Sequence, residues 1–113
     1  MSNYDKLSID VRLSIIENGN RDEGTLGKGV FSLLQGITEF GSLNRAAKNL
    51  GMAYSKAWRI VKETEAGFGF LLINRDGARG STLTEDGKRL VEVYKTLQDE
   101  TEAYVNKRFR ELL

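Results

Sequence analysis

From Leu7 to Ile15 the odd positions are apolar and Ser8, Asp10, Arg12 and Ser14 stand between them, a period of two that predicts a half-buried strand. Asn18 to Gly29 breaks the alternation with four glycines and reads as a turn and a loop. Leu26, Val30, Leu33, Leu34, Ile37 and Phe40 then recur at three and four residues, which predicts an amphipathic helix ending at Gly41. Ser42 is suited to cap a second, short helix, in which Ala46 and Ala47 are small enough for a neighbouring helix to approach closely. Gly51 supplies the turn residue that follows. In the next helix Met52, Ala57, Val61 and Thr64 share one side, toward the core, and Tyr54, Ser55, Arg59 and Lys62 are left on the other. Phe70 to Asn74 is short and apolar, Asp76-Gly77 marks a turn, and Ser81 to Thr84 returns, so this segment reads as a hairpin of two short strands.

Thr84 is placed to cap a last helix, with Glu85 and Asp86 in its first turn where carboxylates suit the helix dipole. That helix runs to Leu112, roughly 40 Å at 1.5 Å per residue. Its stripe of Leu90, Val91, Tyr94, Leu97, Tyr104, Val105, Phe109 and Leu112 is too long for one small domain to cover, which points to a second subunit. The fold class expected is mainly α with a small β-hairpin: a winged helix-turn-helix with an N-terminal strand and a long C-terminal dimerisation helix (84–112). With 113 residues, 40% of them hydrophobic, one domain spanning 1–113 is expected.

Composition narrows the chemistry. There is no histidine and no cysteine, so zinc sites, disulfides, thiolate chemistry and the commonest general base are disfavoured. Asp10, Glu63 and Glu65 are scattered and make no fixed carboxylate pair, so an enzyme is not expected, nor a metal or a cofactor. No apolar run approaches the roughly 18 residues of a membrane span, and the polar start MSNYDK lacks a signal-peptide core, so a cytoplasmic protein is expected. The net charge of +1 is uneven: residues 1–41 carry −2, residues 42–80 carry +4 and residues 81–113 carry −1. Positive charge thus gathers on the helix pair and hairpin, where it suits phosphate contacts. A helix-turn-helix puts the N-terminal residues of its second helix at base edges and its basic residues at phosphates, so double-stranded DNA is the expected partner. Trp58 is read as an anchor to the core, and Arg75 and Arg79 as hairpin residues near DNA. A reading from another class stays open: a winged-helix module that dimerises or docks to protein without specific DNA binding.

The helix pair GSLNRAAKNLGMAYSKAW, the LLINR hairpin strand and the LTEDG entry to the last helix resemble the N-terminal DNA-binding domain of the ModE family of molybdate-responsive regulators, and more distantly LysR-type winged helices. The likeness covers nearly the whole chain. It implies that Tyr54, Ser55, Lys56, Arg59 and Lys62 face DNA from the second helix, with Arg75 and Arg79 on the wing. Ser42 and Arg45, at the start of the first helix of the pair, complete the candidate set. Ala53 stands where the family usually has a capping serine, and the wing RDGARG holds less glycine than is typical. The chain ends at Leu113, where family members continue into oxyanion-binding domains. A standalone homodimeric regulator is therefore expected, with no small-molecule effector bound by this chain.

Overall fold

The computed structural model describes residues 3–75 and 80–113, with the backbone alone for 21–23 and 75. The order of elements is β1 (Ile15–Glu17), β2 (Asn20–Leu26), α1 (Lys28–Phe40), α2 (Leu43–Asn49), α3 (Tyr54–Phe68), β3 (Ile73–Arg75), β4 (Ser81–Leu83) and α4 (Glu85–Leu112). Mostly helical, with a small antiparallel β3–β4 hairpin and a long last helix, this is the fold class expected.

α1 is the central support. Leu33, Leu34 and Ile37 are buried on its inner face, and it ends at Gly41, whose φ of 78° lets the backbone turn out of the helix. Gly36 and Ala46 set the distance between α1 and α2. A Cβ at Gly36 would lie 2.7 Å from that of Ala46, so the absence of a side chain there lets the two helices cross in contact. Leu43, Ala46 and Ala47 of α2 and Ala57, Val61 and Thr64 of α3 close the same core, and Leu72, Ile73, Leu83 and Tyr94 join it from the hairpin and α4.

The N-terminal third departs from its sequence pattern. Residues 7–14 alternate like a strand, yet the strand is confined to Ile15–Glu17. The predicted loop at 18–29 instead contains β2, antiparallel to β1. Asn18 and Gly19 form the two-residue connection with φ of 38° and 82°, the positive values a tight hairpin turn needs. Leu26, assigned from its spacing to the first helix, is the last residue of β2 and is fully buried.

Residues 7–14 find their hydrogen bonds on α4 instead. Asn106 accepts from the Ile9 amide at 2.8 Å and donates to the Ile9 carbonyl at 3.1 Å. Gln98 accepts from Leu13 N and donates to the Val11 carbonyl, Tyr94 donates to the Leu13 carbonyl at 3.0 Å, and Arg110 donates to the Tyr4 and Leu7 carbonyls. These four side chains are spaced by multiples of four, so one side of α4 holds an extended strap. The alternation therefore records a strand-like backbone whose partner is a row of side chains.

The strap also narrows the stripe on α4. Tyr94 is buried in the core and Leu90, Val91, Val105 and Phe109 are half-buried, which leaves Val93, Leu97, Tyr104 and Leu112 exposed. The C-terminal part of α4 projects: the radius of gyration is 16.6 Å, against about 13 Å for a compact chain of this length.

Candidate nucleic-acid interface

The corner between α2 and α3 is built from short-range hydrogen bonds. Ser42 Oγ accepts from Arg45 N at 3.1 Å, capping α2 as its sequence position suggests. α2 stops at Leu50, Gly51 turns with φ 67°, and Met52 N donates back to the Ala47 carbonyl at 2.9 Å. Ala53 is the N-cap of α3 and has no side-chain oxygen to offer, so the first amides of α3 lack that cap. Ala57, Val61 and Thr64 then turn inward, while Tyr54, Ser55, Lys56 and Arg59 are exposed on its first turns.

α3 is held from both sides. Thr64 Oγ1 donates to the Thr25 carbonyl of β2 at 3.1 Å, and Gly24, with φ 97°, passes so close to the Glu63 carbonyl that a Cβ would sit 2.4 Å from it. Thr64 Oγ1 lies 2.8 Å from the Ile60 carbonyl as well. The other side carries the wing. β3 and β4 pair with Ile73 opposite Leu83 and Arg75 opposite Ser81. The returning strand docks on the α1–α2 corner, where Ser81 N donates to the Gly41 carbonyl at 3.1 Å. Gly80, with φ 103°, leaves no room for a Cβ against that same carbonyl. The wing base thus lies beside Ser42, at the N-terminus of α2.

The candidate residues therefore fall into three groups. Ser42 is half-buried and Arg45 exposed at the start of α2, and Tyr54, Ser55, Lys56, Arg59 and Lys62 are exposed along α3. Arg75 ends β3, its side chain outside the described part, and Arg79 lies outside the described residues altogether. Arg59 Nη1 is 3.1 Å from Glu63 Oε1, an exposed pair one turn apart that steadies the guanidinium without committing it. Lys62 is half-exposed and directed sideways: its Nζ lies 4.7 Å from the centroid of the Trp58 ring and 3.6 Å from Glu65 Oε1. Trp58 packs against the core with part of its surface and lies beneath that ammonium with another, so it serves as more than an anchor.

Glu65, which reads in the sequence as one of several scattered acids, has a fixed structural place. It is only 5% exposed, and its Oε2 accepts from the Leu72 and Ile73 amides at 2.7 and 3.2 Å. The signal was present: Glu65 follows Val61 by four residues, on the face that Ala57 and Val61 define as internal.

A support helix, two short helices meeting at a tight corner with the outer face of the second uncovered, and a hairpin docked on that corner define a winged helix-turn-helix. Residues 31–88 match the bacterial regulatory helix-turn-helix protein, lysR family, and the chain belongs to that family. It carries the helix-turn-helix of a DNA-binding transcriptional regulator; the family is one of regulators and not of enzymes. The chain is 34% identical over 70 residues to the DNA-binding transcriptional dual regulator ModE of Escherichia coli (strain K12), a match covering 58% of this chain and 27% of that protein. The transcriptional regulator ModE of Shigella flexneri matches to the same extent. The chain thus spans about a quarter of the length of these relatives. In fold it is similar to the CbnR_DBD-DNA complex, with a TM-score of 0.60 and 24% identity over 74% of this chain and 93% of that one. It is also similar to full-length LTTR LysG from Corynebacterium glutamicum, with a TM-score of 0.54 and 28% identity over 74% of this chain and 28% of that one.

Proposed function

We propose that residues 1–113 act as one DNA-binding domain of a two-fold symmetric transcriptional regulator. The observation that carries this is the exposure along the first turns of α3: Ser55, Lys56 and Arg59, with Tyr54 at the helix start, are exposed while Ala57 and Val61 are fully buried. A helix held by its inner face against a core and bare on its outer face is shaped to enter a major groove. Arg59 has the fork geometry to read a guanine edge, Lys56 suits phosphate, and Tyr54 and Ser55 sit where the helix start meets the groove. Ser42 has spent its oxygen on capping and keeps its hydroxyl proton for a phosphate, with Arg45 one turn along. Arg75 and Arg79 give the wing the charge to follow the backbone.

The same proposal assigns dimerisation to α4. Val93, Leu97 and Tyr104 are exposed on one stripe along it, and pairing two such stripes would set the two α3 helices for half-sites about 34 Å apart or a multiple of that. The likeness to ModE supports genes of molybdate transport or molybdenum metabolism as targets. No effector site is assigned to this chain, so its DNA affinity should not respond to molybdate; calorimetry with molybdate, tungstate and sulfate checks this, and saturable micromolar binding would reverse it.

The central experiment is binding to genomic DNA fragments at several salt concentrations. A subset of fragments bound at least a thousandfold more tightly, with a steep salt slope, is the expected result. Equal, weak binding to every fragment would instead favour a protein-docking module.

A further inference from the structure

Glu65 is the one described residue with a buried side-chain oxygen that has no hydrogen-bond partner. Its Oε2 takes both amides at the start of the wing, Leu72 and Ile73, while Oε1 faces Lys62 alone at 3.6 Å. The carbonyls of Leu71 and Leu72 beside those amides are fixed from the other side. Thr84 Oγ1 donates to the Leu71 carbonyl at 2.9 Å and Thr84 N to the Leu72 carbonyl at 3.0 Å. Gly87 passes so close to the Leu72 carbonyl that a Cβ would lie 2.2 Å from it. The wing base is therefore clamped between a carboxylate on α3 and the first turn of α4.

A carboxylate this buried needs a counter-charge, because leaving one uncompensated in the interior is strongly unfavourable. Lys62 is the cation within 4 Å among the described residues, and its ammonium also lies over the Trp58 ring. The two contacts hold it along the flank of α3, between Trp58 one turn before it and Glu65 one turn after.

We propose that Glu65 is a positioning residue that fixes the wing relative to the reading helix, and that Lys62 is its counter-ion and not a phosphate contact. Anchoring from α3 means that the reading helix and the base of the wing at Leu72 and Ile73 reach DNA already fixed to one another. Lys62 serves that joined unit from its exposed flank. The inference rests on the DNA-binding reading for its consequence and on the structure alone for its clamp, and the two are tested separately.

The clamp is tested without DNA. In Glu65→Ala the amides of Leu72 and Ile73 lose their acceptor and should exchange with solvent at least tenfold faster than in the wild type. Glu65→Gln keeps an oxygen for them and should restore most of the protection. Lys62→Met should lower the melting temperature, and by a smaller amount when Glu65→Gln is already present. Unchanged exchange in a folded Glu65→Ala protein, or equal effects of Lys62→Met in both backgrounds, would overturn the clamp. With DNA, Glu65→Ala should weaken binding at least tenfold with the salt slope intact, and Lys62→Met should leave the slope at its wild-type value. A slope lowered by about one unit in Lys62→Met would return that lysine to the phosphate backbone and overturn its assignment. Absence of DNA binding by the wild type would defeat the functional reading and leave the exchange and melting results to decide the clamp.

Discussion

Ala53→Ser is the most direct test of how the reading helix is built. α3 begins with an N-cap whose φ and ψ are −64° and 141°, in the extended region a capping residue adopts, but whose side chain has no acceptor. Ala53 is exposed, so a hydroxyl there costs no burial, and its oxygen would come within reach of the Ser55 or Lys56 amide. The gain should be about 1 kcal/mol, the usual difference between serine and alanine at this position. For 113 residues the unfolding entropy is about 0.24 kcal/mol/K, so the melting temperature should rise by about 4 °C. Ser42→Ala is the matched control, since Ser42 already caps α2; it should lose a similar amount. The assay is thermal unfolding of both variants at one protein concentration, alongside chemical denaturation. A melting temperature unmoved or lowered by Ala53→Ser, while Ser42→Ala destabilises as expected, would refute the claim that the start of α3 is limited by a missing cap.

Three other substitutions probe reading, assembly and the strap. Arg59→Ala should weaken binding to the preferred sequence by about 1 to 3 kcal/mol, with a smaller effect on unrelated DNA; equal losses on every sequence in a folded mutant would make Arg59 a backbone contact. Leu97→Asp with Tyr104→Asp places charge on the exposed stripe of α4, and sedimentation should find a monomer with reduced operator affinity, whereas a dimer of unchanged affinity would remove α4 from the interface. Burial raises the pKa of the Tyr94 hydroxyl above its ordinary 10.0, partly offset by the nearby Arg12 charge. The folded state holds that proton more tightly than the unfolded chain, so the stability it contributes is full below about pH 10 and is lost as pH rises through the folded value. Tyr94→Phe should flatten this alkaline fall and, by leaving the Leu13 carbonyl without its donor, cost about 1 kcal/mol at neutral pH; an alkaline profile identical to wild type would exclude Tyr94 as its source.

The helices were legible because their signals are local. Ser42 and Thr84 each accept from the amide three residues on, as capping residues do, and Gly41 and Gly51 take the positive φ that their places between periodic segments called for. The open face of α3 followed from the spacing of Ala57, Val61 and Thr64, since residues three and four apart share one side of a helix wherever it is placed. The hairpin at Asn18-Gly19 was also written in the chain as an Asn-Gly pair, but the surrounding glycines masked it.

What the sequence determined by itself was thus the four helices and most of their inward faces, with the start of α1 set too early at Leu26, and the gathering of basic residues on the pair that forms the corner. Tertiary structure alone decided where residues 7–14 pair, because an alternating pattern specifies an extended backbone and is silent on whether a strand or the side chains of α4 will satisfy it. It also decided the state of Glu65: a carboxylate 5% exposed is set there by the amides of Leu72 and Ile73, and no local pattern records that the chain folds back to bring those donors to α3. Helix signals act over four residues, whereas these contacts join positions that only the finished packing brings together.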